Sequence, residues 1–583
     1  MLGAVMGRMG PLCGPFDAFR GRGERSAFRA GEGPGRRLRP KKEMERHGAM
    51  SDQTIQITFL AAGILVLAWM GVLAQRRVKA HEDMSVGGRS FYSWSIFFSL
   101  FAFWGGNTIA GIVELAHKDG IASAWFGIAR MTMFLLILFI TGGAFRRLAM
   151  ITLSDFIARR FGSPFLRLLA GIIIAMNFTI FTVSSVVGAA AFFTAILGWS
   201  VWTSVLFTVV SFLTYTTLGG MHAISYNGKI LVVGQLLALL AAACLGVKMA
   251  GWENILKLEP RYFQVLPPTY PSTVLMWFFT FVVNAFVAQA ALQIVMSCKT
   301  VQEGRRGILY VTLGFIPIVI LSPLAGMAAK VLYPEIPSVQ AMPMLASNMP
   351  SSVLSAVVVL GLYFTTLGWA SSCILSGGTV AAHDIYRYFV PNATSAQLIR
   401  ASRISIFLLS LLTVGFAILL PSGVEFWTIV GFVLRNTALF PLVLVGLFWN
   451  MISRRAAIGA ALAGGVTGVV WYLIRFPAYL WDAHPMFVGM VVSMVVLLGG
   501  TLVEYRGRIG VRPSPKGSVF GLLGMAGVGL TLVYGAKLLK MKCLFAAVGF
   551  DVSFLFAAVI FYIRQVHGDG TVVELPLEVE ECS

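Results

Sequence analysis

Charged residues are scarce in this 583-residue chain. Only 12% are Asp, Glu, Lys or Arg, against about 25% in soluble domains, which excludes a soluble globular enzyme. Cysteine is equally sparse. Cys13, Cys244, Cys298, Cys373, Cys543 and Cys582 are scattered without any CxxC spacing, so they suggest neither a disulfide framework nor a zinc site. A Walker loop, a dinucleotide fingerprint and a Ser-His-Asp order are all missing. His222 and His383 lack a carboxylate or cysteine at metal-ligand spacing. These absences leave no basis for ATP hydrolysis or covalent catalysis. The chain is expected not to be an enzyme and to need no cofactor.

Apolar sequence is what abounds, at 57% of the residues. A spanning helix needs ~20 mostly apolar residues. Runs of that kind lie near 54–75, 92–116, 121–143, 164–196, 199–217, 226–250, 272–297, 308–331, 353–382, 403–421, 424–448, 457–476 and 485–504, with two further candidates near 518–536 and 542–563. The expectation is an all-α integral protein of the cell membrane with 13–15 transmembrane helices. The net charge of +20 resides in short loops. Arg76, Arg77, Lys79 and Arg89 follow the first span, Arg146, Arg147, Arg159, Arg160 and Arg167 the third, and Lys299, Arg305 and Arg306 the seventh. All fall on one side, which the positive-inside rule makes the cytoplasm. Nucleic acid is therefore not needed to explain the charge. The expected partners are membrane lipid and a small-molecule solute, with no oligomeric state indicated. His222 and His383 fall at cytoplasmic helix ends and are expected to be solvated.

Three blocks divide the chain. Residues 1–49 hold Gly, Pro and Arg runs, such as Gly31-Glu32-Gly33-Pro34-Gly35-Arg36-Arg37, and no spanning segment. They are expected to be disordered or to lie outside the native product, because their charge opposes the orientation of every core loop. Residues 50–505 form the main membrane domain. Residues 506–583 add one or two helices and a short acidic tail. Lys537, Lys540 and Lys542 would lie outside, which makes the Gly-rich run 518–536 a marginal span.

Several spans break at polar points. Trp104-Gly105-Gly106-Asn107-Thr108 interrupts the second, and Asn284, Gln289 and Gln293 interrupt the seventh. Breaks survive in a membrane only where they face protein or a water-filled cavity. Many spans with a few breaks is the pattern of secondary transporters, whose sites sit at unwound helix midpoints. Asn107 and Thr108 are candidate solute contacts, with hydrogen bonds to neighbouring helices as the alternative. Asn284 joins them, and Gln289 and Gln293, four apart on one face, read as solute or gate contacts. Ionisable residues inside spans are costly. Glu114 and Arg435 are expected to snorkel toward the interfaces, and Arg130 to pair with an acid or with carbonyls.

Four stretches resemble the sodium:solute symporter family. They are Gly87-Gly88-Arg89-Ser90 followed by Ser99-Leu100-Phe101-Ala102-Phe103-Trp104, Leu153-Ser154-Asp155-Phe156 with Arg159-Arg160-Phe161-Gly162, Tyr215-Thr216-Thr217-Leu218-Gly219-Gly220-Met221-His222-Ala223, and Asp384-Ile385-Tyr386-Arg387. Their order and spacing match over roughly 54–505. The resemblance implies a LeuT-type core, five helices at about 92–250 repeated upside down at about 272–448, with extra flanking helices. It further implies that the first and sixth core helices are broken, the solute lying between them, and that a symporter is driven by sodium.

The resemblance fails at the sodium site. The family uses carbonyls of the first core helix, here around Gly105 and Gly106, plus two adjacent hydroxyl residues on the eighth. Counted back from Asp384, that pair falls on Gly368 and Trp369, neither of which has a hydroxyl. Ser371 and Ser372 lie about one turn later and are the candidate substitutes. The family often has Thr-Asp on the fifth core helix where this chain has Asn227 and Gly228, followed by Lys229. A buried lysine there would replace the cation and carry a coupled proton; a lysine near the membrane edge would merely snorkel. The expectation is a symporter of a small organic solute working by alternating access, coupled to Na+ or H+. A solute sensor of the same fold that does not transport is the rival.

Overall fold

The computed structural model describes residues 46–267, 271–420, 423–475, 483–506 and 508–565. The expectations for 1–49 and for the acidic tail fall almost wholly outside these residues. The helices that organise the chain are α1 (Arg46–Gln75), α2 (His81–Val86), α3 (Ser93–Asp119), α4 (Ala124–Leu136), α5 (Leu153–Phe161), α6 (Pro164–Leu197), α7 (Val201–Ala250), α8 (Pro271–Val287), α9 (Gln289–Met296), α10 (Val301–Leu332), α11 (Ser352–Val380), α12 (Ser395–Leu419), α13 (Val424–Phe448), α14 (Arg454–Arg475), α15 (Pro485–Glu504), α16 (Pro515–Lys540) and α17 (Leu544–Tyr562).

Twelve helical segments are long and apolar enough to cross a membrane. Two of them, of 55 and 50 residues, are more than twice the ~20 residues that span a bilayer core. Glycines at positive φ divide both: Gly120 (φ 67) after α3 and Gly220 (φ 53) within α7. Read as two passes each, and with the bent pair α8–α9 as one more, they bring the described array to the upper end of the expected range. Polar caps set the loop-side ends. Thr152, Ser163, Ser200, Thr300 and Ser351 each accept a backbone N–H of the helix they precede, which satisfies one of the unpaired donors of a helix start.

Packing ranks the helices by role. α3 lies against α10, α7 and α11, and α13 lies against α6. In α13, 78% of the spanning window is buried, against 6% in α16, which leans mainly on α17. The centre is thus the repeated core, and 506–565 is an appended hairpin. A short antiparallel pair, Ile509–Val511 with Ile563–Gln565, closes that hairpin.

One of the two expected breaks is present and one is not. α8 and α9 meet at 47°, with Ala288 at φ −74°, ψ 72°. α3 runs unbroken from Ser93 to Asp119 through Gly105 and Gly106. The glycines there serve close packing instead. A Cβ on Gly106 would lie 2.4 Å from Cβ of Thr365 on α11, and one on Gly105 2.7 Å from its own Phe101 ring. Small residues at helix contacts are a common membrane device, and sequence alone does not separate them from unwinding glycines.

Candidate solute and ion sites

The bend at Ala288 strands a carbonyl that a continuous helix would satisfy. Thr141 supplies the missing partner: its Oγ1 donates to the Ala285 oxygen at 2.8 Å. Thr141 ends a wide helical turn, Ile137–Thr141, in the same membrane pass as α4. The hinge is therefore held from outside its own helix.

Polar side chains flank the hinge on both sides. Before it, Asn284 Oδ1 accepts from Arg435 Nη2 of α13. Arg435 also donates from Nη1 to Asn177 Oδ1 of α6 (3.3 Å) and from Nε to Asn436 Oδ1 (3.3 Å). Arg435 is 2% exposed, so it does not snorkel as the sequence suggested; three amide oxygens and the faces of Phe181 and Phe432 surround it instead. Beyond the hinge, Gln289 Oε1 accepts from the Leu153 N–H (2.6 Å). Gln293 Nε2 donates to the Ser85 carbonyl (2.6 Å) and Thr379 Oγ1 (3.2 Å), and its Oε1 accepts from Ser376 (2.7 Å). Both glutamines thus latch α9 to α2, α5 and α11.

A second layer of the latch is made by residues of the family-like stretches. Asp384 is fully buried and accepts from Ser154 Oγ (2.5 Å) and Thr152 Oγ1 (3.1 Å), with Arg167 Nε at 3.3 Å. Arg167 also bridges to Asp155, which pairs with Arg159 at 2.8 Å. His383 is buried rather than solvated, stacked on His81 at 5.6 Å. His222 is likewise buried, edge-on to Phe91. Burial, and next Arg387, push the His81 imidazole down to about 4.

Around α3, Arg130 is buried against three rings, Trp104, Phe126 and Phe281, each 4.7 Å from its guanidinium carbon. It donates to Thr108 Oγ1 (2.5 Å) and the Trp104 carbonyl (3.4 Å), so carbonyls rather than an acid serve it. Thr108 is fully buried, donating to the Trp104 carbonyl, and Asn107 is half-buried on the same helix.

The structure also shows a residue the sequence reading passed over. Gln235 of α7 is fully buried, and its Nε2 donates to the Ala102 carbonyl of α3 (3.3 Å) and the Phe364 carbonyl of α11 (3.1 Å). Next to it α3 and α11 touch: a Cβ on Gly368 would lie 2.1 Å from the Ala102 oxygen. Trp369 donates to the Phe181 carbonyl and packs on Phe103. Ser371 and Ser372 both donate back to the Gly368 carbonyl (3.4 and 2.9 Å). Lys229 is exposed, so it is not buried at this place. The sequence signal for Gln235 was an amide deep within the apolar run 230–247, which is costly unless paired.

The model of the sodium:solute symporter family matches residues 85–468. The chain belongs to that family. The uncharacterized symporter YwcA of Bacillus subtilis (strain 168) is 25% identical over 394 residues, covering 64% of this chain and 76% of YwcA. The high-affinity proline transporter PutP of the same organism is 22% identical over 381 residues, covering 59% and 75%. Among solved structures, a substrate-bound, outward-open Na+-coupled sialic acid symporter overlays with a TM-score of 0.65 at 17% identity, covering 77% of this chain and 97% of that one. That overlay supports the LeuT-type fold. This symporter-family chain is a multi-pass membrane transporter and not an enzyme.

Proposed function

We propose that this chain is a secondary active symporter of a small organic solute, and that protons rather than sodium drive it. The observation that carries the second half is Gln235. By family resemblance, sodium would sit between carbonyls of the first core helix and hydroxyls at positions 368 and 369. Here an amide N–H₂ group bonds the Ala102 and Phe364 carbonyls beside Gly368. A neutral donor on both carbonyls does for them what a cation would, and the nearby hydroxyl pair, Ser371 and Ser372, is engaged in bonds to the Gly368 carbonyl.

The hinge supports alternating access. Asn284, Gln289 and Gln293 are fully buried, so a solute reaches the bend only when the latch onto α2, α5 and α11 parts. Asp384 is the buried carboxylate of that latch, in contact with Ser154, Thr152 and Arg167. A proton on it weakens the bond to Arg167 and favours opening, which couples a proton to the cytoplasmic gate.

Uptake into proteoliposomes tests the reading with a labelled panel of sugars, amino acids and carboxylates. A pH gradient should drive accumulation of at least one solute, and a sodium gradient at equal pH should not. Lys229→Ala should leave this unchanged. Sodium-driven accumulation would overturn the coupling, and solute binding without accumulation under either gradient would favour a sensor.

A further inference from the structure

Two buried guanidiniums in the core have no acid beside them. Neither Arg130 nor Arg435 makes an ion pair with any described residue, although both are 2% exposed. Every acceptor around them is neutral: Thr108 Oγ1 and the Trp104 carbonyl for Arg130, and Asn177, Asn284 and Asn436 for Arg435. A buried charge is costly unless paired, so each site is one counter-ion short.

The unpaired atoms agree. Arg130 Nε, Trp104 Nε1 and Asn284 Nδ2 are buried without a partner. All three are N–H donors, so what is missing is an acceptor. The aromatic belt Trp104, Trp369 and Phe181 links the two arginines, with Trp104 4.9 Å from Trp369, Trp369 5.5 Å from Phe181 and Arg435 5.5 Å from Phe181. Asn284 lies one turn before the bend at Ala288. A group held by Arg435 and Asn284 therefore grips the hinge itself.

Resting on the transporter reading above, we infer that the solute is an organic carboxylate. Its carboxylate pairs with Arg435 and takes the free Asn284 N–H, its apolar body lies against the aromatic belt, and a second oxygen faces Trp104 Nε1 and Arg130 Nε. Anion binding neutralises Arg435 in a place where water is excluded, and the hinge can close over it.

The test uses purified full-length chain in sodium-free buffer, following thermal unfolding with choline salts of propionate, benzoate and succinate and with the matched amides. At least one carboxylate should stabilise saturably, and its amide should not. Arg435→Gln should weaken that response at least 100-fold. Because Arg435→Gln also removes buried bonds to Asn177 and Asn284, Asn284→Asp provides the decisive control. It places an isosteric carboxylate against Arg435, so it should raise the unfolding midpoint and abolish the response to added carboxylate. Amides acting as well as carboxylates would overturn the inference, as would an undiminished carboxylate response in Asn284→Asp. Carboxylate binding without accumulation in proteoliposomes would keep the inference and sink the transport reading; uptake of neutral solutes alone would do the reverse.

Discussion

The first and sixth core helices are counterparts in an inverted repeat, yet one is straight and the other bent. α3 carries two glycines at its midpoint and does not unwind. The α8–α9 pair has no glycine at its bend, where Ala288 stands, and turns by 47°. Glycine permission is thus neither necessary nor sufficient. What differs is the supply of partners. The carbonyl freed at the bend is met by Thr141, and the half-helix beyond it by Leu153, Ser85, Thr379 and Ser376. At the α3 midpoint the neighbours are close-packed atoms of Thr365 and the Gln235 amide, so unwinding would lose contacts and gain no partners.

Substitutions on the straight side should cost most. Gly106→Val forces atoms into Thr365 of α11 and should destabilise by about 3 kcal/mol, read as a large fall in the unfolding midpoint in detergent. Were Gly106 there to allow unwinding, the same change would abolish transport and leave stability nearly intact. On the bent side, Thr141→Val leaves the Ala285 carbonyl unpaired and buried. It should cost about 1–3 kcal/mol, and Thr141→Ser should restore most of it. A Thr141→Val midpoint equal to wild type would mean that the hinge needs no outside partner.

Releasing the latch should have a smaller effect on stability and a local one on dynamics. Gln293→Leu removes bonds to Ser85, Thr379 and Ser376. Hydrogen exchange should rise in 289–296 while α3 stays protected. Equal exchange in both helices would erase the contrast between them.

Much of this was legible in the sequence. Span order and the break near Asn284–Gln289 follow from apolar run length and polar interruptions. The family-like stretches at Asp155 and Asp384 were visible, but not that they meet through Arg167, because their contact crosses more than 200 residues. The Gly105-Gly106 break was misread, since a glycine that lets helices touch looks the same as one that lets a helix open. Arg435 was read as snorkelling because its position in a span says nothing of the three asparagines around it. Lys229 was overvalued, and Gln235 missed, for one reason: which face of α7 meets α3 is a tertiary fact.

The latch chemistry at His81 should show in the pH dependence of stability. Its imidazole titrates at about 4 in the fold and at about 6.5 when unfolded. Between those values the unfolded chain takes up a proton that the folded one does not, so stability should fall as pH drops from about 6.5 to about 4. His81→Gln should flatten that part of the midpoint-against-pH curve, and an unchanged slope would remove His81 from the account.

The contrast between the sealed straight helix and the hinged one stands or falls on whether sodium binds beside Ala102. Trp104 and Trp369, in ring contact with each other at 4.9 Å, report on that place. Tryptophan fluorescence of the purified chain should be followed as sodium chloride replaces choline chloride at constant ionic strength. The account predicts no saturable change. A saturable, sodium-specific change that disappears in a variant lacking the Ser371 and Ser372 hydroxyls would contradict it.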